Sequence, residues 1–301
     1  TSQLQEIQNF IKPFYINSPE ELQSPILISS PHSGNFYPEN FIDMTDLSIM
    51  DLRSSEDSYI DQIFDSSVNI GSYLIKAIYP RTYVDVNREP FELDPLMFKA
   101  ELPAYINTKS HRVLSGLGTI AKYAGNQKVI YKKSLDFDEI INRINRIYHP
   151  YHYNLRKLIN EIINKYGFCI LLDCHSMPSA GLPLNYKNQK IDITLGNMNG
   201  VSCSGLLLNK INNILNNKGF NVSFNNPYAG GFITQNYGRP LNGVHAIQIE
   251  INREIYLDEI NIQKKSNFHK IKKLFSTALI ELNNFVDSKK YDFLPHRMSA
   301  E

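Results

Sequence analysis

Cysteine is scarce. The 301 residues hold three, Cys169, Cys174 and Cys203, at irregular spacing. That excludes a disulfide framework and a four-ligand zinc site, and the expectation is a reducing compartment. Long apolar runs are missing as well, and none approaches the roughly 18 residues that cross a bilayer. The opening stretch TSQLQEIQNF lacks the charged-then-apolar pattern of a secretory signal. Charge of one sign is absent too: the formal net charge is +1, so no overall field draws the chain to nucleic acid or to an anionic membrane. No internal repeat is evident, and no Pro/Gly/Ser linker divides the sequence. These absences lead to the expectation of a cytoplasmic protein with neither a nucleic-acid nor a membrane partner. They say nothing of oligomeric state.

Hydrophobic residues make up 42% and charged residues 20%, an ordinary globular balance with ample length for a large core. Three segments read as buried strands, 25-PILISS-30, 168-FCILLDC-174 and 244-VHAIQIEI-251. They are short, apolar and β-rich, and the first two are apolar at nearly every position, which suits a sheet covered on both faces. Shorter candidates are 72–78, 82–86, 191–196 and 220–225. Helical periodicity runs from 137 to 167, with Asp136 and Glu139 spaced as a capping box and Gly167 closing it. Pro150 is expected to kink or split that run. Further helices are expected at about 57–68, at 204–217 before Gly219, and within about 258–286. Alternating strands and helices predict an α/β fold with a mainly parallel sheet. One domain over 1–301 is expected, with a long Pro-containing excursion at about 89–130 placed near the site.

In open α/β sheets, ligands bind beyond the carboxyl ends of the strands. His32 follows the first strand directly. Asp173 and His175 end the second, and Glu250 lies near the end of the third. Two histidines and acids at one rim have the composition of a zinc site with an open position. A third ligand is needed, and 54-SSEDSYID-61 offers Glu56 or Asp57 at a helix start. Glu250, set among Ile247, Ile249 and Ile251, is costly to bury without a purpose and is the candidate proton carrier. Arg81, Arg88 and Arg253 present planar forks suited to a carboxylate substrate. The pair Gly230-Gly231 permits close backbone approach to a ligand.

Each residue also has a plainer reading. A histidine after a strand is usually structural, Glu56 and Asp57 suit a helix N-terminus, and Glu250 pairs equally well with Arg239 or Arg253. Cys174 and His175 point to opposite faces of a strand, so Cys174 reads as a small buried residue rather than a nucleophile. His111, His149, His152, His245 and His269 read as structural or surface residues.

The ordered blocks 31-PHSG-34, 56-EDSYID-61, 84-VDVNR-88, 173-DCHSM-177 and 249-IEINR-253 together resemble the N-formylglutamate amidohydrolase family, over about residues 25–260. The resemblance implies a three-layer αβα fold with a mixed, mainly parallel sheet, of the phosphorylase/hydrolase and zinc-carboxypeptidase/aspartoacylase kind. It implies one Zn²⁺ per chain, or another divalent metal, and cleavage of the N-formyl amide of N-formyl-L-glutamate to formate and glutamate in histidine degradation. A small acidic N-acyl amino acid is then the partner. Residue by residue, His32 and His175 match the metal histidines and Asp57 the metal carboxylate, with Glu56 as the fallback. Glu250 matches the catalytic acid/base, and Arg88 and Arg253 match the arginines near substrate. Asn87 and Arg81 are grouped with these substrate residues, as are Gly230 and Gly231. Where carboxypeptidase-like relatives carry a glutamate three residues after the first histidine, this chain has Asn35. The alternatives are a related zinc deacylase or carboxypeptidase with another substrate, and a non-enzymatic amino-acid-binding protein that keeps the fold.

Overall fold

Seven strands form one sheet in a computed structural model that describes residues 11–184 and 188–295. They are β1 (Phe14–Asn17), β2 (Ile26–Ser30), β3 (Tyr73–Ala77), β4 (Cys169–Met177), β5 (Ile193–Gly196), β6 (Val222–Phe224) and β7 (Val244–Asn252). Their order across the sheet is β1-β3-β2-β4-β7-β5-β6. The pairs β3–β2, β2–β4, β4–β7 and β5–β6 are parallel, while β1–β3 and β5–β7 are antiparallel. The sheet is thus mixed and mainly parallel, as expected. The opening stretch inspected for a targeting signal lies outside the described residues. No helix among those described is long and apolar enough to cross a membrane.

Every residue of β2, β4 and β7 is buried, because both faces of these strands are covered. Ile26, Ile28, Ile170, Leu172, Cys174, Ile247 and Ile249 pack with helices Gly205–Asn217 and Phe268–Ser288. Each such fully buried Ile or Leu is worth about 2 kcal/mol in area removed from water. On the other face Leu27, Cys169, Leu171 and Ala246 pack against Phe137–Arg143 and His149–Tyr166. Along this second face the residues change from apolar to polar toward the strand ends: Leu27 gives way to Ser29, Leu171 to Asp173 and His175, Ala246 to Gln248 and Glu250. The register aligns them across strands. Ser29, Asp173 and Gln248 form one row, and His175, Glu250 and Thr194 the next.

Several local expectations need correction. Residues 82–86 are a loop, because Pro80 O accepts from Tyr83 N and Val84 N and so turns the chain. The helix at 57–68 is broken: Tyr59 has φ +68°, helix Ile60–Ile63 follows, and a 3₁₀ turn covers Asp65–Ile70. The 137–167 run is two α-segments joined by a π turn at Ile144–Tyr148, an interruption that falls directly ahead of Pro150, the second residue of His149–Tyr166. Asp136 caps the N–H groups of Asp138 and Glu139, but Glu139 turns to Arg143 Nε at 2.5 Å instead of completing a box. The C-terminal helix begins at Phe268, and the residues before it form a short hairpin, Leu257–Asp258 with Gln263–Lys264.

Candidate active site

His32 stands at the turn after β2, where the chain passes close to another backbone. A Cβ on Gly34 would lie 2.2 Å from Tyr79 O, so only glycine fits there. Asp57 N donates to His32 O at 3.0 Å, which draws the 54–59 loop to the strand end. Asp57 Oδ2 then lies 3.3 Å from His32 Nδ1 and 2.9 Å from His175 Nδ1. The ligand atoms of His32, Asp57 and His175 all fall within 4.8 Å of one another, and all three residues are buried.

A second set of groups holds each of these. Asp85 Oδ1 lies 2.7 Å from His32 Nε2, and Asp173 Oδ2 lies 3.0 Å from His175 Nε2. Asp57 Oδ1, turned away from the histidines, accepts from Ser176 Oγ at 2.9 Å and Arg253 Nη2 at 3.2 Å. Asn87 ties the loop to the sheet: its Nδ2 donates to Asp173 Oδ2 at 3.1 Å and its Oδ1 accepts from Ile233 N at 2.8 Å. Glu250 lies opposite His175 in register, with Gln248 Nε2 donating to its Oε1.

Burial alone would raise the Asp57 carboxyl, but His175, hydrogen-bonded to it, and then the His32 ring 3.3 Å away hold it well below the usual carboxylate range. For Asp85, the charges of Arg81 and His32 likewise outweigh burial and keep it low. Glu250 goes the other way. Burial pushes it up to about 7, partly opposed by His175 and reinforced by the Asp57 charge. A carboxyl near neutrality beside strongly ionised acids is the arrangement expected of a proton carrier.

Among the residues singled out in the sequence, Glu56 is kept from the cluster by Arg53 Nε, Tyr37 Oη and Ser58 Oγ at 3.1, 2.8 and 2.7 Å. It borders a cavity of about 170 Å³ whose lining includes none of His32, Asp57 and His175. Arg88 donates to Leu117 O and Asn87 O, both at 2.8 Å. Arg253 donates to Ser176 Oγ, Ser54 O and Asp57 Oδ1. Arg81 gives Nε and Nη2 to Asp85 Oδ2, and its side chain stays 23% exposed against 9% for each of the other two. Gly231 approaches Asn87 closely, since a Cβ there would meet Asn87 Nδ2 at 2.5 Å. Gly230, at φ +142°, has Met198 Sδ where its Cβ would be. The segment after Arg88 reaches Asp85, with Thr119 O accepting from Asp85 N at 2.8 Å.

Sequence reasoning assigned no part to Asp85 or Gln248. Asp85 lies in the 84-VDVNR-88 block, but the role of a support for His32 comes from a loop that brings it to the end of another strand, which the sequence pattern of 82–86 does not show. Gln248 carried a strand-end signal: it precedes Glu250 by two residues, as Asp173 precedes His175.

The donor set fits a metal ion. Ligands at roughly 2.1 Å from a tetrahedral ion stand about 3.4 Å apart, close to the 3.3 and 2.9 Å separations from Asp57 Oδ2. His32 Nδ1 is buried without a hydrogen-bond partner, a lone pair pointed into the cluster. Both Nε2 atoms face carboxylates, the outer arrangement that metal-bound histidines require.

A mixed αβα sheet with two histidines and acids converging at its carboxyl-terminal rim has the layout of α/β proteins that bind their ligands beyond the carboxyl ends of the strands. The N-formylglutamate amidohydrolase family profile matches residues 24–257, and the chain belongs to that family. An N-formylglutamate deformylase of Pseudomonas putida is 28% identical over 240 residues, 78% of this chain and 82% of the relative. One from Pseudomonas aeruginosa is 26% identical over 241 residues, 78% of this chain and 83% of the relative. The crystal structure of N-formylglutamate amidohydrolase from Ralstonia eutropha JMP134 superposes with a TM-score of 0.86 at 29% identity, covering 93% of this chain and all of the other.

Proposed function

We propose that this chain is a zinc-dependent deformylase that cleaves N-formyl-L-glutamate to formate and L-glutamate, in the cytoplasm and within histidine degradation. What carries the reading is the convergence of His32 Nδ1 and His175 Nδ1 on Asp57 Oδ2, with Glu250 in register beside His175. The names of the Pseudomonas relatives supply the substrate. His32, Asp57 and His175 would hold one ion per chain. When bound, Zn²⁺ supplies Lewis acidity, polarising the formyl carbonyl and acidifying the attacking water.

Glu250 takes a proton from that water as its oxygen adds to the formyl carbon. The same carboxyl returns the proton to the glutamate nitrogen as the C–N bond breaks, and the proton left on the new formic acid passes to the amine, so formate and the glutamate ammonium leave. Burial keeps Glu250 near neutrality, where it can do both. Arg81 is the cation assigned to a substrate carboxylate, since it is the most exposed of the three arginines, whereas the better-buried Arg88 and Arg253 are held by protein carbonyls and hydroxyls. Asn87 orients Asp173, and Gly230 and Gly231 shape the loop beside it.

The test is L-glutamate release from N-formyl-, N-acetyl- and N-succinyl-L-glutamate by zinc-loaded and chelator-stripped protein. The formyl compound should be turned over fastest, with loss on stripping and recovery on zinc addition. No release by the zinc-loaded protein overturns the reading, whereas preference for another acyl group keeps the chemistry and moves the substrate.

A further inference from the structure

Gln248 is the residue of the polar face with no part in the chemistry so far. The residue is only 4% exposed, and it sits one row beneath Glu250 on the same face of β7. Nε2 donates to Glu250 Oε1, while its own Oε1 is buried without a partner. Buried amides ordinarily satisfy both ends, so an unpartnered carbonyl calls for a reason.

The neighbours explain the orientation. Asp173, opposite Gln248 in register, has Oδ1 taken by Ser29 Oγ at 3.2 Å and Oδ2 by Asn87 Nδ2 at 3.1 Å. On the other flank is Gly196, where a side chain is ruled out because a Cβ would lie 2.7 Å from the Ala229 carbonyl carbon. Turned over, the amide would set its Oε1 against the Glu250 carboxylate, acceptor against acceptor. The orientation present satisfies the carboxylate and leaves Gln248's carbonyl without a donor. Among the described residues no protein group bonds Glu250 Oε2.

We propose that Gln248 is the positioning residue of the proton carrier: its Nε2–H holds Oε1 of Glu250, so that Oε2 is the oxygen presented for proton transfer. Gln248 acts through Glu250 and touches no substrate. The two rows share one logic, with Asp173 orienting His175 from two residues upstream and Gln248 orienting Glu250 from the same place on the next strand. The inference rests on the deformylase reading, in which Glu250 carries the proton.

A double-mutant cycle tests it. Gln248→Met, of similar size without the donor, should lower kcat for N-formyl-L-glutamate about 10- to 100-fold, with KM and bound zinc unchanged. In a Glu250→Gln background the same substitution should have no further effect. A loss of equal size in both backgrounds, or one confined to KM or zinc content, overturns the proposal. Gln248→Asn keeps an amide but withdraws it from Glu250, and should lose the same factor if the Met variant does not fold. Crystal structures of wild type and variant decide the matter without activity. The Glu250 carboxylate should occupy one rotamer in wild type and turn or divide between rotamers in the variant. An unmoved carboxylate overturns the proposal, whereas a wild-type protein inactive on every acyl-glutamate overturns only the deformylase reading.

Discussion

Asp85 Oδ1 lies 2.7 Å from Nε2 of His32, although 53 residues separate the two in the chain. A neutral imidazole carries one proton, and a carboxylate at Nε2 keeps it there, which leaves the Nδ1 lone pair on the Asp57 side. Asp85→Asn would offer His32 an N–H₂ as readily as a carbonyl and so release the tautomer. Zinc affinity should then fall about 10- to 100-fold, read by competition with a chromophoric chelator. Unchanged affinity would show that Asp85 does not orient the ligand.

Removing a ligand should have a larger effect than removing its support. His32→Ala, Asp57→Ala and His175→Ala should each leave the purified protein with little zinc by elemental analysis. Glu56→Gln should retain it, because Glu56 is bonded to Arg53, Tyr37 and Ser58 and faces away from both Nδ1 atoms. Zinc lost from Glu56→Gln but kept by Asp57→Ala would reverse the assignment of the carboxylate.

The centre of the fold was legible because β2, β4 and β7 are buried on both faces, so their apolar runs stand out against any helical period. The edge strand β1 was not, since Phe14 is its one fully buried residue and its partner β3 lies about 60 positions away. His32, His175 and Glu250 were legible from the rule about strand ends. Asp85 was hidden by a plausible alternation in 82-TYVDV-86 that Pro80 overrides with a turn. Arginine roles were the least legible part. Arg88 and Arg253 look like substrate ligands in their motifs, and only the fold reveals the carbonyls and hydroxyls that occupy them.

That occupancy separates the arginines by experiment. Arg81→Met removes the most exposed of the three guanidinium groups and should raise KM for N-formyl-L-glutamate by roughly 10-fold or more. Some stability should be lost as well, because Arg81 also pairs with the buried Asp85, so the KM effect is read on folded protein with its zinc content checked. Arg88→Met leaves Leu117 O and Asn87 O without a donor in a buried setting, so it should destabilise the fold by roughly 2–4 kcal/mol in urea unfolding. A KM effect from Arg88→Met at unchanged stability would return Arg88 to the substrate.

His152 supports the same loop from below, and its charge state should make stability depend on pH. Nε2 donates to Val86 O at 2.7 Å and Nδ1 lies 2.8 Å from Tyr237 Oη, with the ring buried. Burial, only partly offset by the Val86 carbonyl, pushes its pKa down from 6.5 to about 4. The unfolded chain therefore binds this proton more tightly than the folded one. Above about pH 6.5 His152 costs nothing, and between 6.5 and 4 stability falls with pH by up to about 1.4 kcal/mol per unit. Urea unfolding at about pH 7.5 and 5 should show this loss in wild type and about 2 kcal/mol less of it in His152→Gln, whose amide can still donate to Val86 O. Equal pH dependence in the two proteins would mean that His152 is not held neutral. Because Val86 immediately precedes Asn87 and Arg88, the acid loss should begin at the loop that carries Asp85, and bound zinc should be released before global unfolding.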